Sequence, residues 1–440
     1  MPEAPLPLRL LSRVGVAVRP GELGTLIWSF LYFFFLLTGY YILRPLRDAM
    51  GIAGGEKALP WLFTATFVTM LAMVPLYGAV VARASRRRII PYVYRFFALN
   101  LVLFFALVEL GVSRVAVGKV FFVWTSVYNL FVVSVFWSFM ADVFTNEQGK
   151  RLFGAIAAGG SLGGIVGPEI TELLAPRLGQ QRIFFLLLLS ALALEACLLC
   201  VRRIQRAAGE RGEASPVGGS LIAGIRLVLT SPYLAGICVS TLCLTATATF
   251  IYLEQAHIVA TTTVDPAART ALFAWVDKRV NLVALLLEIV LTGRVLSRIG
   301  LGTGLAALPV VTGAGFIGLA AAPSLLLIAV FSGVRRAIHY AIERPAREVL
   351  FTVVDRESKY KAKTFIDTVV YRGGDAASAR GYAALMGAGL GATGVALLSV
   401  PLCALWLGVY LLLAQKQKSM ADREEAAGKN DGPARAAEGG

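Results

Sequence analysis

Histidine occurs twice in the 440 residues, as His257 and His339, and cysteine occurs five times. So little imidazole leaves general-base chemistry poorly supplied, and the chain holds no Ser/His/Asp arrangement and no metal-ligand spacing. Enzymatic function is therefore the least favoured class, and neither a metal nor another cofactor is expected. Cys197 and Cys200 form a C-x-x-C, but it lies inside an apolar run without a second pair, so it reads as packing and not as a redox or zinc motif. No G-x-x-x-x-G-K-[ST] occurs, which excludes a phosphate-cradling loop that would drive work by ATP hydrolysis. Charge is scarce at 16%, and acids are scarcer than bases, 27 against 42. The first apolar run starts near residue 24 without a signal-cleavage site, so it is expected to be retained as a helix.

What the chain does have is apolar sequence, 57% hydrophobic residues with a mean hydropathy of +0.71. Runs such as "GTLIWSFLYFFFLLTGYYIL" and "IFFLLLLSALALEACLLC" approach or reach the roughly 20 residues that cross a hydrocarbon core. The expected fold is an all-α polytopic membrane protein with about twelve transmembrane helices, starting near residues 24, 59, 89, 115, 152, 183, 235, 271, 303, 324, 364 and 393. Basic clusters at 83–88, 149–151, 202–211, 294–298 and 359–363 fall in every second loop, which puts both termini in the cytoplasm. The net charge of +15 reflects that bias in part and does not imply nucleic acid; the lipid bilayer is the expected partner.

A shift of about 210 residues lays "YYILRPL" (40–46) on "FIYLEQA" (250–256), with Arg44 opposite Glu254. The same shift lays "NEQGKR" (146–151) on "RESKYK" (356–361), and Gly163-Gly164 on Gly373-Gly374. One offset serving several places predicts a duplicated unit: a six-helix bundle over 1–203, a cytoplasmic linker over 204–220, a second six-helix bundle over 221–415 and a disordered tail over 416–440. Two like-oriented, pseudo-symmetric six-helix bundles are the build of major-facilitator-type carriers. The chain is expected to act as a monomer.

Charge inside a membrane span is costly and marks function or pairing. In "SGVRRAIHYAIERPAREVL" the arginines at 335 and 336 come about eleven residues into the tenth span, roughly 16 Å along its axis and near mid-bilayer. On a regular helix Arg336, Tyr340, Glu343 and Arg347 occupy an arc of roughly 60°. Two readings stand side by side: an internal ion-pair network such as Arg336–Glu343 or Arg347–Glu348, or an anion site built of guanidinium forks, which suit phosphate. Pro345 is expected to distort this helix. Asp277, Asn281 and Glu288 share one face of the eighth span, to bind substrate, carry a proton or, as the favoured reading, pair with an arginine; Asp367, Tyr371 and Asp375 share one side of the eleventh, where salt bridging to the tenth or eighth helix is the expected role. "GAIAAGGSLGGIVGP" allows close helix approach. "YYILRPLRDAM" sets Arg44, Arg47 and Asp48 at the outer end of the first span, to snorkel or to meet substrate.

Two stretches resemble the nucleotide (ATP/ADP) translocases of intracellular bacteria and plastids, a branch of the major facilitator superfamily. "YYILRPLRD" (40–48) is similar to a family pattern Y-x-I-L-R-x-x-K-D, with Arg47 at the position of a substrate-contacting lysine. "RPAREV" (344–349), "DRESKYKAK" (355–363) and Asp367 are similar to D-P-T-K-E-M followed by D-x-E-x-K-x-K-x-K and an acid. Here Arg347 replaces the motif lysine, while Glu348, Asp355, Glu357, Lys359, Lys361, Lys363 and Asp367 keep their places. The chain departs from the family in "TSVYNLFVVSVFW" (125–137), which lacks a helix-4 carboxylate, and in Arg344, which stands for an aspartate. The resemblance implies a multi-pass protein of the bacterial inner membrane that exchanges ATP, ADP or related phosphate esters. Arg44, Arg47, Arg336, Arg347 and Tyr340 would bind substrate, and Glu254, Asp277, Asn281, Glu343, Glu348 and Asp367 would provide ion pairing and coupling. A proton-coupled carrier of another organic solute, titrating at Asp277, Glu254 or Glu343, and a non-transporting scaffold or sensor remain as alternatives.

Overall fold

The computed structural model describes residues 18–19, 21–83, 86–208, 227–228, 230–291, 300–354, 362–363 and 365–437. The long helices are α1 (Leu23–Gly51), α2 (Leu59–Arg83), α3 (Arg86–Glu109), α4 (Arg114–Val143), α5 (Asn146–Arg182), α6 (Phe185–Ala208), α7 (Pro232–Thr262), α8 (Pro266–Leu291), α9 (Leu301–Ala321), α10 (Leu325–Leu350), α11 (Ile366–Gly387) and α12 (Gly391–Ala437). Each starts within a few residues of an expected span, because apolar runs of this length leave helix as the way to satisfy every backbone group. Among the described residues nine helices are long and apolar enough to cross a membrane. The chain is an all-α polytopic membrane protein.

Two compact units emerge: residues 1–218 with 256–282, and residues 219–255 with 283–440. In the first unit α1 packs on α4, α5 and α6. The α1–α5 contact is as close as the glycine run suggests. A Cβ on Gly163 would stand 2.5 Å from the Phe34 carbonyl oxygen, and one on Gly167 2.6 Å from that of Thr38. Both are shorter than real Cβ contacts, so only glycine lets the backbones meet there. Tyr32 Oη donates to Tyr94 Oη at 2.5 Å, Tyr94 Oη donates to the Val132 carbonyl at 3.2 Å, and Phe33 stacks on Phe136 at 4.3 Å. These buried hydroxyls are satisfied within an aromatic core.

The segment 256–282 is tied to the first unit by polar contacts of α7 and α8. His257 Nδ1 lies 2.8 Å from Glu56, Lys278 Nζ lies 2.5 Å from Glu169 and 2.8 Å from Glu172, and Asn281 Nδ2 donates to the Gly164 carbonyl. The five cysteines are free and buried, in keeping with packing.

In the second unit α9 packs on α12 and α10 around Leu305, Leu308, Leu350, Trp406 and Tyr410. α10 is not one regular helix: Leu325–Ile338 and Arg344–Leu350 are α-helical, and His339–Glu343 between them is a π turn. Pro345 accounts for it, since the ring offers no N–H and crowds the carbonyl one turn back. α11 opens with a second π turn, Ile366–Val370, before Tyr371–Gly387. The tail expected to be disordered from residue 416 differs: α12 continues through it to Ala437, over Lys-, Glu- and Ala-rich sequence that favours helix.

Candidate functional site

Polar groups inside the spans are paired in both units, most densely around Arg44–Asp277 in the first and Glu343 in the second. In the first, Arg44 on α1 pairs with Asp277 on α8 at 3.1 Å, the carboxylate being 5% exposed. A pair this deep costs desolvation on both sides and persists only if each partner stays paired. One turn on, Arg47 donates through Nε at 2.8 Å and Nη2 at 2.5 Å to one oxygen of Asp48, and its guanidinium lies 4.9 Å over the Phe122 ring. Lys278 bridges Glu169 and Glu172 on α5, and Arg279 lies 3.8 Å over Trp275. The expected pairing of Asp277 with an arginine is present, and Asn281 holds the glycine-rich face of α5. The side chain of Glu288 lies outside the described residues.

In the second unit the π turn places Glu343, fully buried, against three groups. Tyr410 of α12 donates to Oε1, His339 Nδ1 lies 2.8 Å from Oε2, and Arg347 Nε lies 4.0 Å from Oε1. Arg347 Nη2 also stands 3.8 Å from Asp367 at the π turn of α11. The two irregular turns thus flank one guanidinium.

Several expectations are corrected here. Glu348 pairs with Lys363, at 2.6 Å, and not with Arg347; Glu343 is held by His339, Tyr410 and Arg347. The single polar stripe Arg336–Tyr340–Glu343–Arg347 is broken: Tyr340 is 49% exposed whereas Glu343 is 0% exposed. One residue added by the π turn re-phases everything before it by about 100° relative to Arg347. Glu254, which the repeat overlays on Arg44 in sequence, accepts a hydrogen bond from Tyr382 Oη at 3.0 Å, a separate observation that leaves the overlay untouched. Asp375 is held by Thr249 at 3.3 Å and Arg372 at 3.6 Å. Asp355, Glu357, Lys359 and Lys361 lie outside the described residues, and so do the side chains of the clusters at 83–88 and 294–298.

Sequence reasoning missed Tyr410, Glu169, Glu172 and the distinct position of Arg335. The two glutamates had a readable signal, an i, i+3 acidic pair in a small-residue helix. Tyr410, in an unbroken apolar run, had none. Among the described residues no group of His, Cys, Asp and Glu could hold a metal ion.

No family model and no curated sequence relative matches the chain. Solved structures do. A variant of the nucleoside transporter NupG is 14% identical, with 91% of this chain and 99% of that chain covered and a TM-score of 0.61. A POT family transporter in complex with a thioalcohol-conjugated peptide is 12% identical over 90% and 96%, with a TM-score of 0.60. A bacterial homologue of the human lysosomal transporter Spinster, inward-facing and unoccupied, is 13% identical over 92% and 99%, with a TM-score of 0.56. Identities this low establish the fold, which is that of the major-facilitator type.

Proposed function

We propose that the chain is a secondary transporter of the bacterial inner membrane, both termini cytoplasmic, that exchanges phosphorylated anions of the ATP/ADP kind. The observation that carries the reading is α10: a 26-residue apolar span with Arg335, Arg336, Arg344 and Arg347 against one fully buried carboxylate, Glu343. Guanidinium forks are the side chains that recognise phosphate, and an excess of them in a span favours a polyanion. The translocase-like stretches at 40–48 and 344–367 support a nucleotide as cargo, as does a fold neighbour that is a nucleoside transporter. Arg44 and Arg47, with Arg336, Arg347 and Tyr340, contact the substrate during the cycle; Asp277 and Glu343 hold guanidinium groups while the site is empty. Exchange follows if the unloaded, positively charged state closes poorly and the loaded one closes well.

A thermal-shift screen of the purified protein against nucleotides and phosphorylated metabolites, followed by counterflow in proteoliposomes with each hit, tests the proposal. Counterflow of labelled nucleotide is expected; a folded protein that carries none of the screened anions rejects it. A second reading, proton-coupled carriage of another organic solute, is favoured by the contact of His339 and Tyr410 with buried Glu343. Uptake driven by a pH gradient without internal counter-substrate would select it.

A further inference from the structure

The arginines of α10 are not equivalent. Arg347 is compensated by Glu343 and Asp367, and Arg344 lies over the ring of Tyr340. Arg335 stands apart: among the described residues it has no carboxylate within ion-pair distance. Its contacts are neutral oxygens, both made by Nη2, to the Leu244 carbonyl at 3.1 Å and Thr247 Oγ1 at 3.3 Å on α7. Its Nε is buried with no hydrogen-bond partner. The carboxylate that acts on it from longer range is Glu343, already engaged by His339, Tyr410 and Arg347.

A guanidinium carries five N–H donors in a planar fork, and these two contacts, both through Nη2, leave most of that fork unused. Eleven residues into the span, the charge sits near mid-bilayer, where a cation without a counter-charge is expensive. The residue as a whole is partly buried, while its Nε is enclosed. A paired arginine there would be a strut. An uncompensated one, held by a carbonyl and a hydroxyl that orient it without neutralising it, retains affinity for an anion. The π turn is the local cause: it turns Arg335 toward α7 and away from the Glu343–Arg347 face.

We propose that Arg335 is the anchor for the anionic group of the cargo in the second unit, a phosphate or a carboxylate taken by its fork beside Thr247, with Arg347, held by Glu343, as a secondary contact. This rests on the carrier reading and singles out, of the two mid-bilayer arginines, the one that the substrate-contact set had left out.

The test compares R335Q, R335K and R347Q with the wild-type full chain, each purified and unfolded thermally without ligand and with ATP, pyrophosphate or citrate. Phosphate probes are expected to stabilise the wild type; stabilisation by citrate alone would make the cargo group a carboxylate. R335Q is expected to be at least as stable as wild type without ligand, because an uncompensated charge has been removed, and to lose the ligand-induced shift. R347Q is expected to be less stable, because Glu343 loses its cation. R335K keeps the charge without the fork and is expected to weaken probe binding at least tenfold. An unliganded R335Q that is less stable or fails to fold, or an R335K that binds like wild type, overturns the assignment. A wild-type protein shifted by none of the three probes overturns the anion site as well, while the carrier reading stands or falls on counterflow.

Discussion

Arg44 and Asp277 form an ion pair between α1 and α8, Nη1 to Oδ1 at 3.1 Å, with both side chains largely withdrawn from solvent. Removing one partner of such a pair strands the other. Asp277→Ala is expected to cost about 3–5 kcal/mol and Arg44→Ala a comparable amount. The double variant should cost clearly less than the sum, and a double-mutant cycle by denaturant unfolding in detergent measures the coupling.

In the proposed function Arg47 and Arg347 lie in the path of the cargo. Replacing either by alanine removes a charge-assisted contact worth about 1.5–3 kcal/mol, a roughly 10- to 150-fold loss. Labelled nucleotide uptake into proteoliposomes should fall to background for both. Uptake unchanged in a correctly folded variant would reject the role.

Close backbone approach of α5 to α1 leaves no room for a side chain at 163 or 167. Gly163→Leu should cost at least about 1–3 kcal/mol through overpacking, read as lost folded yield and a lowered Tm. Gly154, on the same helix with nothing within 4 Å of an added Cβ, should accept alanine at no such cost.

At the mouth of α1, Glu22 accepts hydrogen bonds from Arg151 at 2.9 Å, from Gln148 at 3.0 Å and from the Arg19 backbone at 2.9 Å. The Arg151 guanidinium, foremost among these, holds the Glu22 carboxyl down at about 2, against an ordinary value of 4.5. A lowered folded-state pKa contributes stability that is fully present above about pH 4.5 and is lost as pH falls toward 2. Glu22→Gln should therefore lower Tm at neutral pH and flatten its decline over that acid range; an unchanged acid limb would refute the latch.

Pro345→Ala restores the missing N–H and relieves the carbonyl one turn back, so the π turn at His339–Glu343 can revert to α-helix. Reversion would swing Arg335 and His339 about their axis relative to Arg347. Transport should drop while thermal stability holds or rises, and a structure of the variant would show whether His339 leaves Glu343.

The spans were legible because their signal is local: twenty apolar residues bounded by charge or glycine announce a membrane helix wherever they sit. The glycine-rich face of α5 and the pairing of Asp277 were legible for the same reason, small residues and a lone carboxylate in apolar sequence. The site was less so. A helical wheel drawn through Arg336, Tyr340, Glu343 and Arg347 assumes 3.6 residues per turn, and the π turn breaks that assumption in the middle of the motif. Partners from distant helices, Tyr410 for Glu343 and Tyr382 for Glu254, left no mark in their own neighbourhoods. The grouping of 256–282 with the first unit was equally hidden, since it follows from Lys278 and Asn281 meeting α5.

The α1–α5 seam joins main chain to main chain, with glycine at 163 and 167 where interlocking side chains would otherwise stand. The Phe33 ring, seated against Gly160 and stacked on Phe136, and the Thr171 hydroxyl on the Ile42 carbonyl key the two helices in register. The seam therefore acts as a clamp that fixes the spacing and the axial register of α1 and α5 together.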